Sequence, residues 1–178
     1  QIKAFKDNVS IKSCLSYTFS VSNSQGTSLI KDRPFTAEMT RSIMLLKEKH
    51  YRPRMADYRI GVFFTGREQL GEGAKTTAPV YYANRWDIQP SDTAAYLRGE
   101  KVKPTKQIVF YIDNTFPEKW KPYLREGVTQ WNELFEQIGF KDVVAAKDFP
   151  TDDPEFDPDN IKYSCVRYAP SSIENAMG

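Results

Sequence analysis

The sequence predicts an α+β protein in two parts, an N-terminal antiparallel β module and a C-terminal β-α-β-β unit. Three observations carry this. Val9–Val21 (VSIKSCLSYTFSV) places Val9, Ile11, Ser13, Leu15, Tyr17, Phe19 and Val21 on one face with mostly polar residues between them, the period of a strand. Lys106–Gly139 runs from an apolar strand into apolar residues at 3–4 spacing, the period of a helix lying on a sheet. Between them Glu100–Lys106 is short, charged and proline-bearing, which suits a boundary. Residues 1–100 are therefore expected as the first module, 101–106 as a linker and 107–178 as the second unit.

Taken in order, residues 1–46 read as β. Ser22–Gly26 (SNSQG) signals a turn and Phe35–Leu46 a second strand, so the two runs are expected to form a long hairpin. Tyr58–Thr65 and Ala78–Ile88 are further aromatic and β-branched runs, with a glycine-rich loop expected over Gly66–Thr77. Asp92–Gly99 reads as a short helix capped by Ser91. Ile108–Ile112 is a strand of the buried kind. Thr115 and Glu118 have capping-box spacing, and Pro117 falls in the first turn of a helix spanning Phe116–Ile138. Its stripe is Trp120, Tyr123/Leu124, Val128, Trp131, Leu134/Phe135 and Ile138, expected to face the sheet, with Gly139 as the stop. Val143–Ala146 and Ile161–Tyr168 follow as strands.

With 40% apolar and 13% aromatic residues among 178, the chain can bury a core and is not of disordered composition. Its net charge of +2 hides an asymmetry. From Tyr111 onward 7 basic residues stand against 13 acidic, net −6, leaving 18 against 10, net +8, in residues 1–110. Neither half has the dense basic face of a nucleic-acid binder, and no apolar run is long enough to span a membrane. No signal peptide is evident, and Gln1 in place of an initiator Met suggests a processed or trimmed piece. Cys14 and Cys165 each lie in a β-like run. Two buried free thiols are the simpler reading and one long-range disulfide the alternative.

Few residues suggest chemistry. His50, the single histidine, sits in the basic tract Lys47–Arg54 without the partners a metal site needs. The tract continues to Arg59. Arg52, Arg54, Asp57 and Arg59 suit either a loop pinned by ion pairs or a cationic rim that grips carboxylates. Asp153, Glu155, Asp157 and Asp159 alternate as in a calcium loop, but two prolines interrupt them, and the central Gly and terminal Glu are missing. An acidic surface loop is expected there. Trp120 and Trp131 read as core, and no nucleophile motif, phosphate loop or dinucleotide fingerprint is present.

The run KQIVFYIDNTFPEKW, continued by GVTQWNELFEQIGF and the residues to Gly178, closely resembles the start of the catalytic domain in large, metzincin-like, zinc-dependent bacterial metallopeptidases, found largely in the Bacteroidota. RPRMADYRIGVFF and NRWDIQP resemble the end of the family-specific domain of unassigned function that precedes it. The resemblance implies a hydrolase, secreted or of the cell envelope, that uses Zn. Two His of a His-Glu-x-x-His helix and a third ligand would hold the metal, and the Glu would act as general base on its bound water. By order these groups would lie beyond Gly178, so no catalytic or metal residue carries over onto this chain. Alone it is expected to hold no cofactor and to be inactive. The rest of the parent polypeptide is its expected partner, peptide or protein the parent's substrate, and self-association through an exposed strand edge is expected. A non-catalytic binding module of the cell envelope is the alternative.

Overall fold

The computed structural model of the chain describes residues 1–46, 51–71, 73 and 75–171. The alternating N-terminal run builds what its period predicts. β1 (Ile2–Ala4) pairs antiparallel with the start of β2 (Asn8–Ser22), and β2 pairs along its length with β3 (Ser28–Met44). Asn23 Oδ1 closes the turn by accepting the Gln25 and Thr27 N–H groups, and Gly26 takes φ +81°, open to glycine at little cost. β3 starts earlier than the expected Phe35. A one-residue bulge lets it: Asp32, at φ +48°, donates its N–H to Ser20 Oγ at 2.9 Å and absorbs the shift between Phe19↔Arg33 and Val21↔Ile30.

β4 (Phe64–Leu70) and β5 (Thr77–Ala83) form a second antiparallel hairpin. This corrects the expectation of a strand at Tyr58–Thr65 followed by a loop from Gly66. The ladder runs through Gly66 to Leu70, because Tyr81 on the opposite strand lays its ring against the glycine; a Cβ there would meet the ring at 3.5 Å. Residues 58–63 are irregular instead. α1 (Thr93–Leu97) is capped by Asp92, not Ser91: Asp92 Oδ1 accepts the Ala95 N–H at 2.9 Å.

The third sheet is parallel, in the order β7-β6-β8, with β6 (Ile108–Ile112) between β7 (Val144–Asp148) and β8 (Ser164–Val166). The mixed α+β class is as predicted. The long helix, however, is two: α2 (Lys121–Thr129) and α3 (Trp131–Gln137), separated at Gln130. Thr115 is no cap. Asp113 Oδ1 accepts the Thr115 N–H and hydroxyl at 2.9 and 2.8 Å and makes a turn of that segment. The helix starts later, at Lys121, where Pro122 occupies the first turn and has no N–H to lose.

The buried face of this helix pair also differs from the expected stripe. Val128 and Phe135 do pack on the core of Ala95, Val102, Ile108, Phe140, Val143 and Val144. Trp120 and Trp131 do not; they are 44% and 58% exposed. Asn132 turns inward in place of Trp131. Its Nδ2 donates to the Val144 carbonyl at 2.9 Å and its Oδ1 accepts the Val144 N–H at 2.8 Å, latching α3 to the first residue of β7. Arg125 pairs with both oxygens of Asp148 at 2.6 and 2.7 Å and ties α2 to the other end of that strand.

Residues 101–106, expected as a linker, are a packed connection. Val102 is 5% exposed and bridges Phe140, while Lys101 and Lys103 pair with Glu136 and Asp142. The opposite face of the sheet is filled by Tyr111, Phe149, Phe156 and Tyr163, with ring centroids 4.8–5.4 Å apart. Both cysteines are free; Cys14 is exposed, contrary to the buried thiol expected, and Cys165 is half-buried. Among the described residues no helix is long and apolar enough to cross a membrane.

Candidate functional site

The four residues singled out in the arginine-rich tract separate into two pairs. Asp57 and Arg59 hold each other: Arg59 Nε donates to Asp57 Oδ1 at 2.9 Å and Nη2 to Oδ2 at 2.6 Å, and the Arg59 N–H adds a third bond to Oδ1. The guanidinium keeps the Asp57 carboxyl below its ordinary range. Arg52 and Arg54 lie on an extended segment beside β5 and use their carbonyls, accepting Arg85 Nη2 at 2.7 Å and the Ala83 N–H at 2.8 Å. Their side chains are exposed, with no ion pair among the described residues. His50 and Lys47–Lys49 lie outside the described residues.

That extended segment and the second hairpin enclose a shallow hollow of about 420 Å³ that the sequence did not reveal. Tyr51, Thr65, Arg67, Tyr82, Asn84 and Arg85 line it, and no acidic side chain is among the described residues that do so. Arg85 lies over the Tyr51 ring at 4.7 Å, and Thr65 donates to Asn84 Oδ1 at 2.7 Å. Two guanidinium groups, two tyrosines and an amide suit a small anionic group. The signal was present: Thr65 and Arg67 alternate on one face of β4, with Tyr82 opposite Thr65. Reading Gly66–Thr77 as a loop concealed it.

The acidic loop has a structural task. Its Phe156 and Tyr163 plug the aromatic face of the parallel sheet, while its carboxylates reach outward to the base of the β2–β3 ribbon. Lys3 Nζ stands 2.9 Å from Asp157 Oδ2 and 2.7 Å from Asp159 Oδ2. Asn8, 3% exposed, donates to the Asp159 carbonyl at 3.0 Å and accepts the Ile161 N–H at 3.2 Å. The hydrogen bonds to Asp159 and then Asp157 raise Lys3 above its ordinary range. Burial pushes Asp157 up, but the Asp159 N–H and the Lys3 ammonium outweigh it, and its carboxyl sits below the usual range. Asp153 accepts the Glu155 N–H at 2.9 Å. These are turn and clasp contacts, and among the described residues no group of three or more His, Cys, Asp or Glu could hold a metal. The donor set does not fit the zinc that the resemblance implies for the parent.

A groove of about 830 Å³ runs beside the clasp, between Phe5, Lys6 and Asp7 on one side and Glu155, Phe156 and Lys162 on the other.

Comparison with protein-family models matches residues 1–91 to a domain of unknown function, DUF5117. Neither the curated proteins nor the solved structures compared contain a match. The matched stretch takes in the ribbon, the second hairpin, the arginine-rich segment and Lys3 and Asn8 of the clasp, and by it the chain belongs to the DUF5117 family.

Proposed function

We propose that the chain is the non-catalytic leading part of a zinc-dependent metalloendopeptidase, a scaffold on which the catalytic centre of a longer polypeptide is completed. The observation that carries this reading is the parallel β6-α2-α3-β7 unit with β8 added on the far side of β6. It supports the strand–helix–strand–strand order that the resemblance implies for the opening of such a domain. Among the described residues the DUF5117 portion meets that unit through Trp86 against Phe110 at 6.1 Å, Ile88 on its core and the Lys3/Asn8 clasp, as a scaffold requires. Zinc would supply an activated water for peptide-bond hydrolysis in the parent, outside the cytoplasm. In this reading the chain's own part is to support that centre, not to supply its zinc ligands or general base.

Sequencing the parent reading frame tests the proposal. A His-Glu-x-x-His helix is expected within roughly a hundred residues after Gly178. A stop codon there, or a continuation without zinc ligands, refutes it.

The cationic hollow supports a second reading, a cell-envelope binding module that takes carboxylate-bearing ligands through Arg67 and Arg85. Salt-sensitive binding of an acidic peptide, lost in Arg67→Ala with the fold intact, would favour it.

A further inference from the structure

The ribbon formed by β2 and β3 is strongly two-faced. Its register brings Val21 opposite Ile30, Phe19 opposite Arg33, Tyr17 opposite Phe35, Leu15 opposite Ala37 and Ser13 opposite Met39, all on one side. The other side carries Ser16 against Thr36 and the Lys12–Glu38 ion pair, side chains at ease in water. The apolar side is ordered within itself: Phe35 stacks on Tyr17 and meets Phe19 edge-on, both at 5.5 Å. Yet among the described residues the strands of this sheet are these two and β1, which flanks no more than Val9–Ile11. A two-stranded ribbon of this kind is marginal in water without a second layer.

We propose that this face closes on the same face of a second copy of the chain, forming a two-layer β-sandwich across a two-fold axis. The area decides for a protein-sized partner. Tyr17, Phe19, Val21, Ile30, Phe35 and Met39 are each 37–44% exposed and Ile43 is 62%. At roughly 200 Å² per large side chain these leave about 600 Å² of apolar surface on one face. That is at the upper end of the largest patch on an ordinary monomer, about 300–600 Å². With its rim the face approaches the roughly 800 Å² per partner of a stable interface.

The face is also complementary to itself. With the axis through the Tyr17/Phe35 level, the bulky Phe19 of one copy lies over Leu15 and Ala37 of the other, large against small. Val21 and Ile30 lie over Ser13 and Met39. Arg33 meets no like charge in this arrangement, because it faces the Leu15/Ala37 level, and its stem can lie on apolar surface. Sheets packed this way sit about 10 Å apart with strands within about 30° of each other, and a twisted amphipathic ribbon can meet that geometry.

Sedimentation equilibrium over a wide concentration range tests the proposal. A monomer–dimer equilibrium is expected, weakened at least about 30-fold by Phe19→Lys or Phe35→Lys, each removing a central aromatic anchor. Thr36→Lys, on the polar side, should leave it unchanged. Should a variant misfold by circular dichroism, the wild-type chain still answers: amide protection at Tyr17–Val21 and Ile30–Phe35 must rise with protein concentration. A strict monomer overturns the proposal. So does a dimer whose concentration-dependent protection falls on β7 or β8, since that is pairing through a sheet edge.

Discussion

Asn132→Ala and Trp131→Ala, at adjacent positions, should have very unequal consequences. Asn132 makes two hydrogen bonds to the backbone of Val144, a residue 5% exposed. Losing them forfeits about 1 kcal/mol each, and the Val144 N–H and C=O left unpaired inside add about 1 kcal/mol more, for a total near 3 kcal/mol. Trp131 is 58% exposed. Removing it should cost about 1 kcal/mol or less, because alanine's better helix propensity returns about 0.5 kcal/mol. Denaturant titration with the slope held constant gives both values. In thermal melts the loss at Asn132 corresponds to roughly 6–12 °C. Equal losses, or a larger one for Trp131→Ala, would place the tryptophan on the sheet and refute the assignment of the helix face.

Two glycines at similar backbone angles should differ: Gly139→Ala, at φ +87° with its new Cβ 2.8 Å from the Tyr96 ring, should cost about 2–4 kcal/mol, while Gly99→Ala, at φ +85° in open space, should cost about 1 kcal/mol. Comparable melting points for the two variants would contradict the close Tyr96 packing. The clasp should be sensitive to pH at both extremes. Asp157, held below its ordinary range, stabilises fully above that range and stops doing so as pH falls through its lowered value. Lys3, held above its range, stabilises fully below that range until pH rises through its raised value. The Lys3→Met penalty, about 1 kcal/mol at neutral pH, should shrink towards zero as pH falls through the lowered Asp157 value; an undiminished penalty in acid would show that the charges do not hold the ribbon. After dialysis, metal analysis should find no stoichiometric zinc on the purified chain, which has one histidine; one tightly held ion per chain would disprove this.

Much of the fold was legible because it is periodic. Alternation from Val9 to Val21 and the turn at Ser22–Gly26 were enough for the long hairpin, since both depend on neighbouring residues. The strand at Ile108–Ile112, the helical stretch after it and the parallel return were legible for the same reason. The candidate site was far less so. Asp57 and Arg59, two residues apart, could be suspected of pairing. The hollow between Tyr51, Arg67 and Arg85 needed β4 to continue through Gly66, and that depended on Tyr81, 15 positions away.

By itself the sequence determined the α+β class, the two-faced ribbon and the amphipathic character of the helical stretch, because each is written in spacings of two to four residues. Tertiary structure alone decided which way these faces turned. The apolar stripe of the helical stretch is too broad to be buried whole, and only the position of β7, with Val144 offering its N–H and C=O to Asn132, put Val128 and Phe135 inside and left Trp131 in solvent. The clasp joins residues 154 and 156 positions apart. No local pattern can register such a pair. The attraction between Lys3 and its two carboxylates exists only after a loop has anchored Phe156 on one face of a sheet, and burial and charge pairing are properties of that assembled neighbourhood.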